Sequence, residues 1–494
     1  MDGEGTDRFL TWFQTRGGSY DANSMGITVF PPAEGGRGAI ALKDIPEGHL
    51  LFSIPRSLSL STRTSTLPKV FGLAEWKQLE LHKGWAGLIL CMMWEAARGK
   101  ESNWAEYLDT LPTAFDTPMF WTQSELEELA GTSIVGKLGK EDAERDYEGK
   151  VRPALKRRPD IFGQNDKFYS LEMYHTMGSR ILSRSFNVEK WEGDDEDGEG
   201  TSELLTVGQP TDDAMDIDDA NPEGTHTVEA ETEEEDREEE DDEEEDSSDV
   251  AMVPMADMLN ARFGTENAKL FYEKNDLMMI STKPIKIGEQ IWNTYGDLPN
   301  AELLRRYGHV DLLPLPDGTT GNPSDLVELS AEIIVGMVKE LHSQSSEGFV
   351  ERIDWWLEEG GDDVFEFDCE LDLPPAALSL IRLLLLTDGE WNKVREKGKP
   401  PKPKADSDVL LVLEKALNKR CKEYSSSIED DESRLQGELT LNVRHAIVVR
   451  LSEKRILQNT LNKIATLLHN RKPQDNKRKA EAQSDSGTKK SKRK

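Results

Sequence analysis

Val253-Pro-Met-Ala-Asp257-Met-Leu-Asn260 is the stretch on which the reading of this 494-residue chain turns. An apolar run meets a polar–apolar–apolar–polar tetrad, the pattern of a strand ending in a turn whose Asp and Asn satisfy backbone groups. Close behind come Asn267-Ala268, then Ile287-Gly-Glu-Gln-Ile-Trp-Asn-Thr-Tyr295-Gly296, then Arg306-Tyr307-Gly308. Upstream, Ser183-Arg-Ser-Phe-Asn187 stands just before a long acidic run.

Working outward, two segments read alike. Ala41-Leu-Lys-Asp-Ile-Pro-Glu-Gly48-His-Leu-Leu51 and Ser281-Thr-Lys-Pro-Ile-Lys-Ile-Gly288-Glu-Gln-Ile291 each set a glycine between two apolar runs. Glycine there permits positive φ, and the flanking residues favour extended backbone, so each predicts a β-hairpin of a small sheet. Gly35-Gly36-Arg37-Gly38 precedes the first. Backbone without Cβ can approach a ligand closely, although such a run taken by itself is more often a plain turn.

From Trp76 to Met177 the pattern is helical, with Leu88, Leu90, Met92, Met93 and Ala96 at helical offsets and a capped start at Ser124. After Pro323 the chain reads as helix almost throughout. Leu329, Ile333, Ile334, Met337, Val338 and Leu341 make one face, and Ile447, Leu451, Leu457, Leu461, Ile464 and Leu468 another.

The formal charge of −35 is concentrated. Between Glu192 and Asp249 stand 29 Asp and Glu against Arg237 alone, a composition that predicts a disordered insertion loop. The last stretch, Arg471 to Lys494, has 10 Lys and Arg against 3 acidic residues and predicts a disordered basic tail. The remaining, moderately acidic body suits a basic partner. Three distant cysteines, Cys91, Cys369 and Cys421, exclude a disulfide framework and a Cys-rich zinc cluster, and no metal-ligand spacing appears. The longest apolar run, around Trp85 to Trp94, is far short of the roughly 20 residues a spanning helix needs, so no membrane role is expected.

Taken together, the tetrad, the Asn-Thr-Tyr-Gly turn and the Arg-Tyr-Gly segment resemble the C-terminal half of a SET domain, and Gly36–Phe52 resembles its opening. The absence of flanking zinc clusters and the helical C-terminal third are similar to the Rubisco-methyltransferase-like class of SET lysine methyltransferases, and Asp257–Ala261 with Tyr295–Gly308 look most like its fungal ribosomal branch. The resemblance implies an α+β fold: a β-rich SET domain over 20–310 with small sheets and a pseudoknot, a helical insertion at about 75–170, and an all-α substrate-binding domain over 322–470. It implies S-adenosylmethionine as methyl donor, held by Gly36, Arg37, Gly38, Arg184, Asp257, Asn260, Ala261 and Tyr307. Tyr295 is then the catalytic tyrosine, its hydroxyl bonding the incoming amine, and Trp104, Ser185 and Asn187 face the substrate. Two positions depart from the pattern: Ala261 replaces the usual His, and His309 the usual Phe or Tyr.

The implied activity is lysine methylation of a basic protein, a large-subunit ribosomal protein on the nearest branch. Another nuclear substrate, or an inactive SET fold acting as an acidic escort, are the alternatives, the latter resting on Ala261 and His309. Lys477-Arg-Lys479 and Lys489-Lys-Ser-Lys-Arg-Lys494 read as a bipartite nuclear-import signal, giving a nuclear location and an import receptor as partner, with no specific nucleic acid.

Overall fold

The computed structural model describes residues 3–31, 35–163, 166–189, 248–315, 318–341 and 346–488. The acidic insertion expected over 192–249 lies outside the described residues except for its last two, as do residues 489–494 of the tail.

The two look-alike segments are not hairpins. Strands β1 (Ser19–Tyr20), β2 (Met25–Val29), β3 (Arg37–Ala41), β4 (Leu50–Pro55), β5 (Ser185–Glu189), β6 (Ser248–Met252), β7 (Ala268–Tyr272), β8 (Asp276–Ser281) and β9 (Gln290–Ile291) sort into small sheets. One has the order β1-β4-β8-β7, another β2-β3-β9, and β5 pairs with β6. So β3 and β4 part into different sheets, as do β8 and β9. Each segment runs antiparallel to the other in one register, with Ala39 opposite Ile291, Ile45 opposite Ile285 and Leu50 opposite Ile280. The glycines complete the symmetry: the Gly48 and Gly288 N–H groups donate to the carbonyls of Ser281 and Ala41, each at 2.8 Å. Their φ angles of 77° and 84° need glycine. The local apolar pattern is thus satisfied by a partner far away in sequence.

Past β9 the chain runs beside the Asp257–Asn260 turn. The Asn293 N–H donates to the Asn260 carbonyl at 2.9 Å, and Ala261 bridges Asn293 in parallel. This is the crossing on which the site is built. Between β4 and β5 lies the helical insertion, whose helix Ala86–Arg98 is buried from Ala86 to Glu95. Its last helix, Leu171–Arg184, delivers the chain into β5. The first core also takes Phe9, Trp12 and Phe13 from the N-terminal helix Gly3–Thr15, which precedes the expected start at residue 20.

The C-terminal lobe is mainly helical but not all-α. After a short pair, β10 (Leu313–Pro314) with β11 (Thr320–Gly321), strand β12 (Leu326–Ser330) runs antiparallel to β13 (Val364–Asp368). Val327, Leu329, Phe365 and Phe367 alternate into the second core, so Leu329 belongs to a strand and not to the helical face expected for it. Helix Ala331–Leu341 starts immediately after. The final helix runs from Leu441 to Thr488, so the backbone is helical through much of the expected tail. A third cluster joins the lobes, with Leu129, Ile134 and Leu304 packed on Ala446 and Val449. Polar ties reinforce it: Ser133 donates from its N–H and hydroxyl to Glu453, at 3.1 and 2.9 Å, and Arg434 forks onto Glu128.

Candidate active site

Asn260 organises the entrance to β3. Its Nδ2 donates to the Arg37 carbonyl at 3.2 Å and to Gln290 Oε1 at 2.7 Å. This leaves no room for side chains on the facing strand. A Cβ on Gly35 would lie 2.6 Å from Asn260 Nδ2, and one on Gly38 would lie 2.5 Å from Gln290 Oε1. Gly36 has open space but a φ of 69°, so conformation and not packing selects its glycine.

Behind this loop is a buried charged group. Arg37 turns its Nη2 to the Thr110 carbonyl at 2.9 Å. Arg184 donates from Nη1 to the Asp257 carbonyl at 2.6 Å and stands 3.9 Å from Asp257 Oδ2. The Tyr107 hydroxyl donates to that same Oδ2 at 3.0 Å. Asp257 Oδ1 is buried with no hydrogen-bond partner. Burial pushes the Asp257 carboxyl up, against the pull of Arg184 and Arg37, and pushes the Arg37 guanidinium down.

Tyr295 and Tyr307 lie face to face with ring centroids 4.2 Å apart and planes 4° from parallel, and His309 sits 6.0 Å beyond Tyr307 at 51°. Helix Asn300–Tyr307 supplies the second ring and stops at Gly308, whose φ is 76°. A Cβ there would come within 2.9 Å of Asp116 backbone. Burial raises the Tyr295 phenol, Arg184 opposes it and Asp257 adds to it, so the catalytic candidate shares one field with the buried charged group. A narrow cleft of about 10 Å³ is lined by Ala261, Tyr295, Leu303, His309 and Asp311.

The structure therefore brings Gly36, Arg37, Gly38, Arg184, Asp257, Asn260, Ala261, Tyr295 and Tyr307 into one region. Ala261 takes part through its backbone bridge to Asn293, which needs no side chain. Ser185 is buried with an unpartnered hydroxyl at the start of β5, and Asn187 is half-buried opposite Val250. Trp104 is not at the site. It is 3 % exposed, sits in the first core, and donates its indole N–H to the Leu58 carbonyl at 2.8 Å. A large amphipathic ring with a matched buried acceptor is a core residue, so Trp104 does not face the substrate as expected.

Three residues at the site escaped the sequence reading. Tyr107 lies three positions after Trp104, the helical interval that turns both toward the same buried side. Gln290 stands opposite Ile40 in the β3–β9 register, which only the long-range pairing reveals. His445, on the final helix, is buried and feels the His309 charge across the lobes; no local signal marks it.

A methyl donor of the S-adenosylmethionine kind presents an ammonium, a carboxylate and an aromatic base. The chain offers backbone free of Cβ at Gly36 and Gly38, an unpartnered buried carboxylate oxygen at Asp257, and a cleft walled by Tyr295 and His309, so its residues fit that group. The SET domain family matches residues 36–296, and the family described as Rubisco LSMT substrate-binding matches 343–457. Ribosomal lysine N-methyltransferase 4 of Saccharomyces cerevisiae is 29% identical over 350 residues, covering 70% of this chain and 62% of that protein. The N-lysine methyltransferase SETD6 of Homo sapiens is 27% identical over 492 residues, covering 91% of this chain and 89% of that one. The solved structure of Rubisco LSMT bound to AdoMet superposes with a TM-score of 0.60 at 19% identity, covering 94% of this chain and 92% of that one.

Proposed function

The chain belongs to the SET-domain family and is an S-adenosylmethionine-dependent protein-lysine N-methyltransferase; on that premise we propose that Tyr295 is its catalytic tyrosine and that a lysine of a large-subunit ribosomal protein is its substrate. The observation that carries the residue assignment is the position of Tyr295, stacked on Tyr307, lining the cleft, and within the field of Asp257 and Arg184.

S-adenosylmethionine supplies an electrophilic methyl on a sulfonium. The chain has to bind and orient it, exclude water, and present a neutral amine, since an ammonium near its ordinary pKa of about 10.4 has no lone pair to attack with. Gly36 and Gly38 would give the donor a backbone surface pinned by Asn260, with Ala261 and Tyr307 beside it. The Tyr295 hydroxyl stays protonated because burial raises its phenol, so it can hold an amine nitrogen by a hydrogen bond and aim it. Arg184 anchors the Asp257 main chain, and the following strand, with Ser185 and Asn187, borders the amine's approach.

The ribosomal assignment rests on the yeast relative's name and on the likeness of Asp257–Ala261 and Tyr295–Gly308 to that branch. The human relative's name specifies lysine without a ribosome, so a non-ribosomal protein is the second reading. The acidic body and insertion favour a basic substrate in either case. The basic motifs at 477–479 and 489–494 further support a nuclear enzyme that engages an import receptor. Radiolabelled methyl transfer to purified large-subunit ribosomal proteins tests the substrate: one labelled band, lost in Tyr295→Phe, is expected. An unchanged lysine-methylation spectrum of ribosomal proteins in cells lacking the gene would rule the ribosomal substrate out.

A further inference from the structure

We propose that Tyr107 is a positioning residue for methyl transfer: its hydroxyl holds the Asp257 carboxylate by Oδ2 and leaves the buried Oδ1, which has no hydrogen-bond partner in the protein, to accept an alkylammonium N–H. This rests on the methyltransferase reading above and assigns to it a residue from the helical insertion.

A buried carboxylate has two oxygens to satisfy, and an unpaired one is costly. Oδ2 is served by Tyr107 at 3.0 Å, with Arg184 Nη1 3.9 Å away. Oδ1 is not served at all. The charged and titratable groups that face this carboxylate come from four elements. Arg37 of β3 bonds the Thr110 carbonyl, and Arg184 bonds Asp257's own carbonyl. On the same helix as Arg184, Arg180 faces Tyr107 and donates from Nε to the Pro112 carbonyl at 3.0 Å. Tyr295 comes from the segment past β9. None of these bonds reaches Oδ1, so the matching donor is an N–H from outside the chain. Burial pushes the Asp257 carboxyl up while Arg184 and Arg37 pull it down, and an ammonium at Oδ1 would add to their pull and complete the shell of the carboxylate.

The Tyr107 ring is held from behind. Trp12 stacks on it at 6.3 Å and 11°, Phe9 lies at 6.4 Å, and the Trp12 indole donates to the Asn103 carbonyl at 3.0 Å. Both aromatic residues come from the N-terminal helix, ahead of the SET match that begins at residue 36. The phenol therefore cannot swing away, and the N-terminal helix becomes part of the support of the site.

Two ammonium groups enter this region: the α-ammonium of the methyl donor and the ε-ammonium of the substrate lysine. The experiment separates them. In the full-length protein, S-adenosylmethionine affinity is measured by calorimetry and kcat/KM by methyl transfer to ribosomal proteins, each from pH 5 to 9, for wild type, Tyr107→Phe, Asp257→Asn and the double variant. Tyr107→Phe keeps the ring and loses one hydrogen bond to a buried charge, so a loss of about tenfold to a hundredfold is expected. It also removes a bond that lowers the Asp257 pKa, so the acid limb of the affected curve moves to higher pH. In Asp257→Asn that limb disappears, and adding Tyr107→Phe costs little more. If the limb lies in the donor-affinity curve, the α-ammonium is the partner; if only in kcat/KM, the lysine is. Tyr107→Phe curves that superimpose on the wild type in both assays overturn the proposal. A wild type that neither binds S-adenosylmethionine nor transfers methyl overturns the methyltransferase reading instead.

Discussion

Tyr295 and Tyr307 stack with ring centroids 4.2 Å apart and planes within 4° of parallel, although they come from a turn and from the end of a helix. One ring fixes the other, so the two hydroxyls have separable consequences. Tyr295→Phe keeps the stack and removes the group proposed to aim the amine; kcat is expected to fall by about 10² to 10⁴. Tyr307→Phe keeps the wall and is expected to change kcat by less than about tenfold, whereas Tyr307→Ala unsupports Tyr295 and is expected to cost at least as much as Tyr295→Phe. Single-turnover methyl transfer measures all three. Equal losses in the two Phe variants would remove the special role of Tyr295.

The glycines before β3 differ in why they are glycine, and that difference can be measured. Gly38→Ala drives a Cβ to within 2.5 Å of Gln290 Oε1 and 2.7 Å of Asn260 Nδ2. Gly36→Ala meets nothing within 4 Å and costs only the strain of a φ of 69°, roughly 1 kcal/mol. S-adenosylmethionine affinity, by calorimetry, should fall much further in Gly38→Ala. Adding Asn260→Ala to Gly38→Ala relieves one of the two contacts but removes the Arg37 anchor, so no recovery is expected. Full recovery in the double variant would mean that Asn260 has no part in shaping the donor surface.

The fold and most of the site were legible because they are written in short, ordered motifs: Asp257 to Asn260, Asn293 to Gly296, Arg306 to Gly308. What misled was information that only a distant partner supplies. Gly48 and Gly288 look like hairpin turns because each lies between apolar runs, yet each donates to the other segment. Leu329 fits a helical period by accident of its neighbours while alternating with Val327 into a sheet. Trp104 and Tyr107 share one stretch, and nothing in it tells which of them meets a carbonyl and which meets Asp257. The motif fixed the neighbourhood; the hydrogen-bond partner, far away in sequence, fixed the role.

Trp104→Phe tests that correction directly. The indole N–H has a buried acceptor in Leu58, so removing it leaves a carbonyl unpaired in the first core, at a cost of about 1–3 kcal/mol. Urea unfolding should show a lower midpoint, while KM for the protein substrate stays within about twofold of the wild type at a temperature where both are folded. A raised KM with unchanged stability would return Trp104 to the substrate channel.

His445 ties stability to mild acid. It lies on the final helix against Gly308 and His309, buried, with Nδ1 lacking a partner. Burial brings its pKa down from the ordinary 6.5 to about 4; the His309 ring and Arg444 act in the same direction, and Asp116 and the Gly308 backbone oppose them. In the folded protein the ring therefore stays neutral until about pH 4, while in the unfolded chain it takes up a proton near pH 6.5. The unfolded state binds more protons between those values, so stability must fall as pH drops through that window and be unaffected by this group above it. At about 1.4 kcal/mol per unit the loss amounts to at most roughly 3.5 kcal/mol. Glu302, held down to about 2 by Arg305 and Arg306 against the opposing effect of its burial, acts only below its ordinary 4.5, so the two windows barely overlap. His445→Asn should flatten the stability curve between pH 6.5 and 4 and leave the steeper fall below 4.5 in place. Because the ring packs against the residue between Tyr307 and His309, donor affinity measured over the same range should weaken with the wild-type stability and not with that of the variant. A His445→Asn curve parallel to wild type through this window would show that the interface between the lobes does not sense the proton.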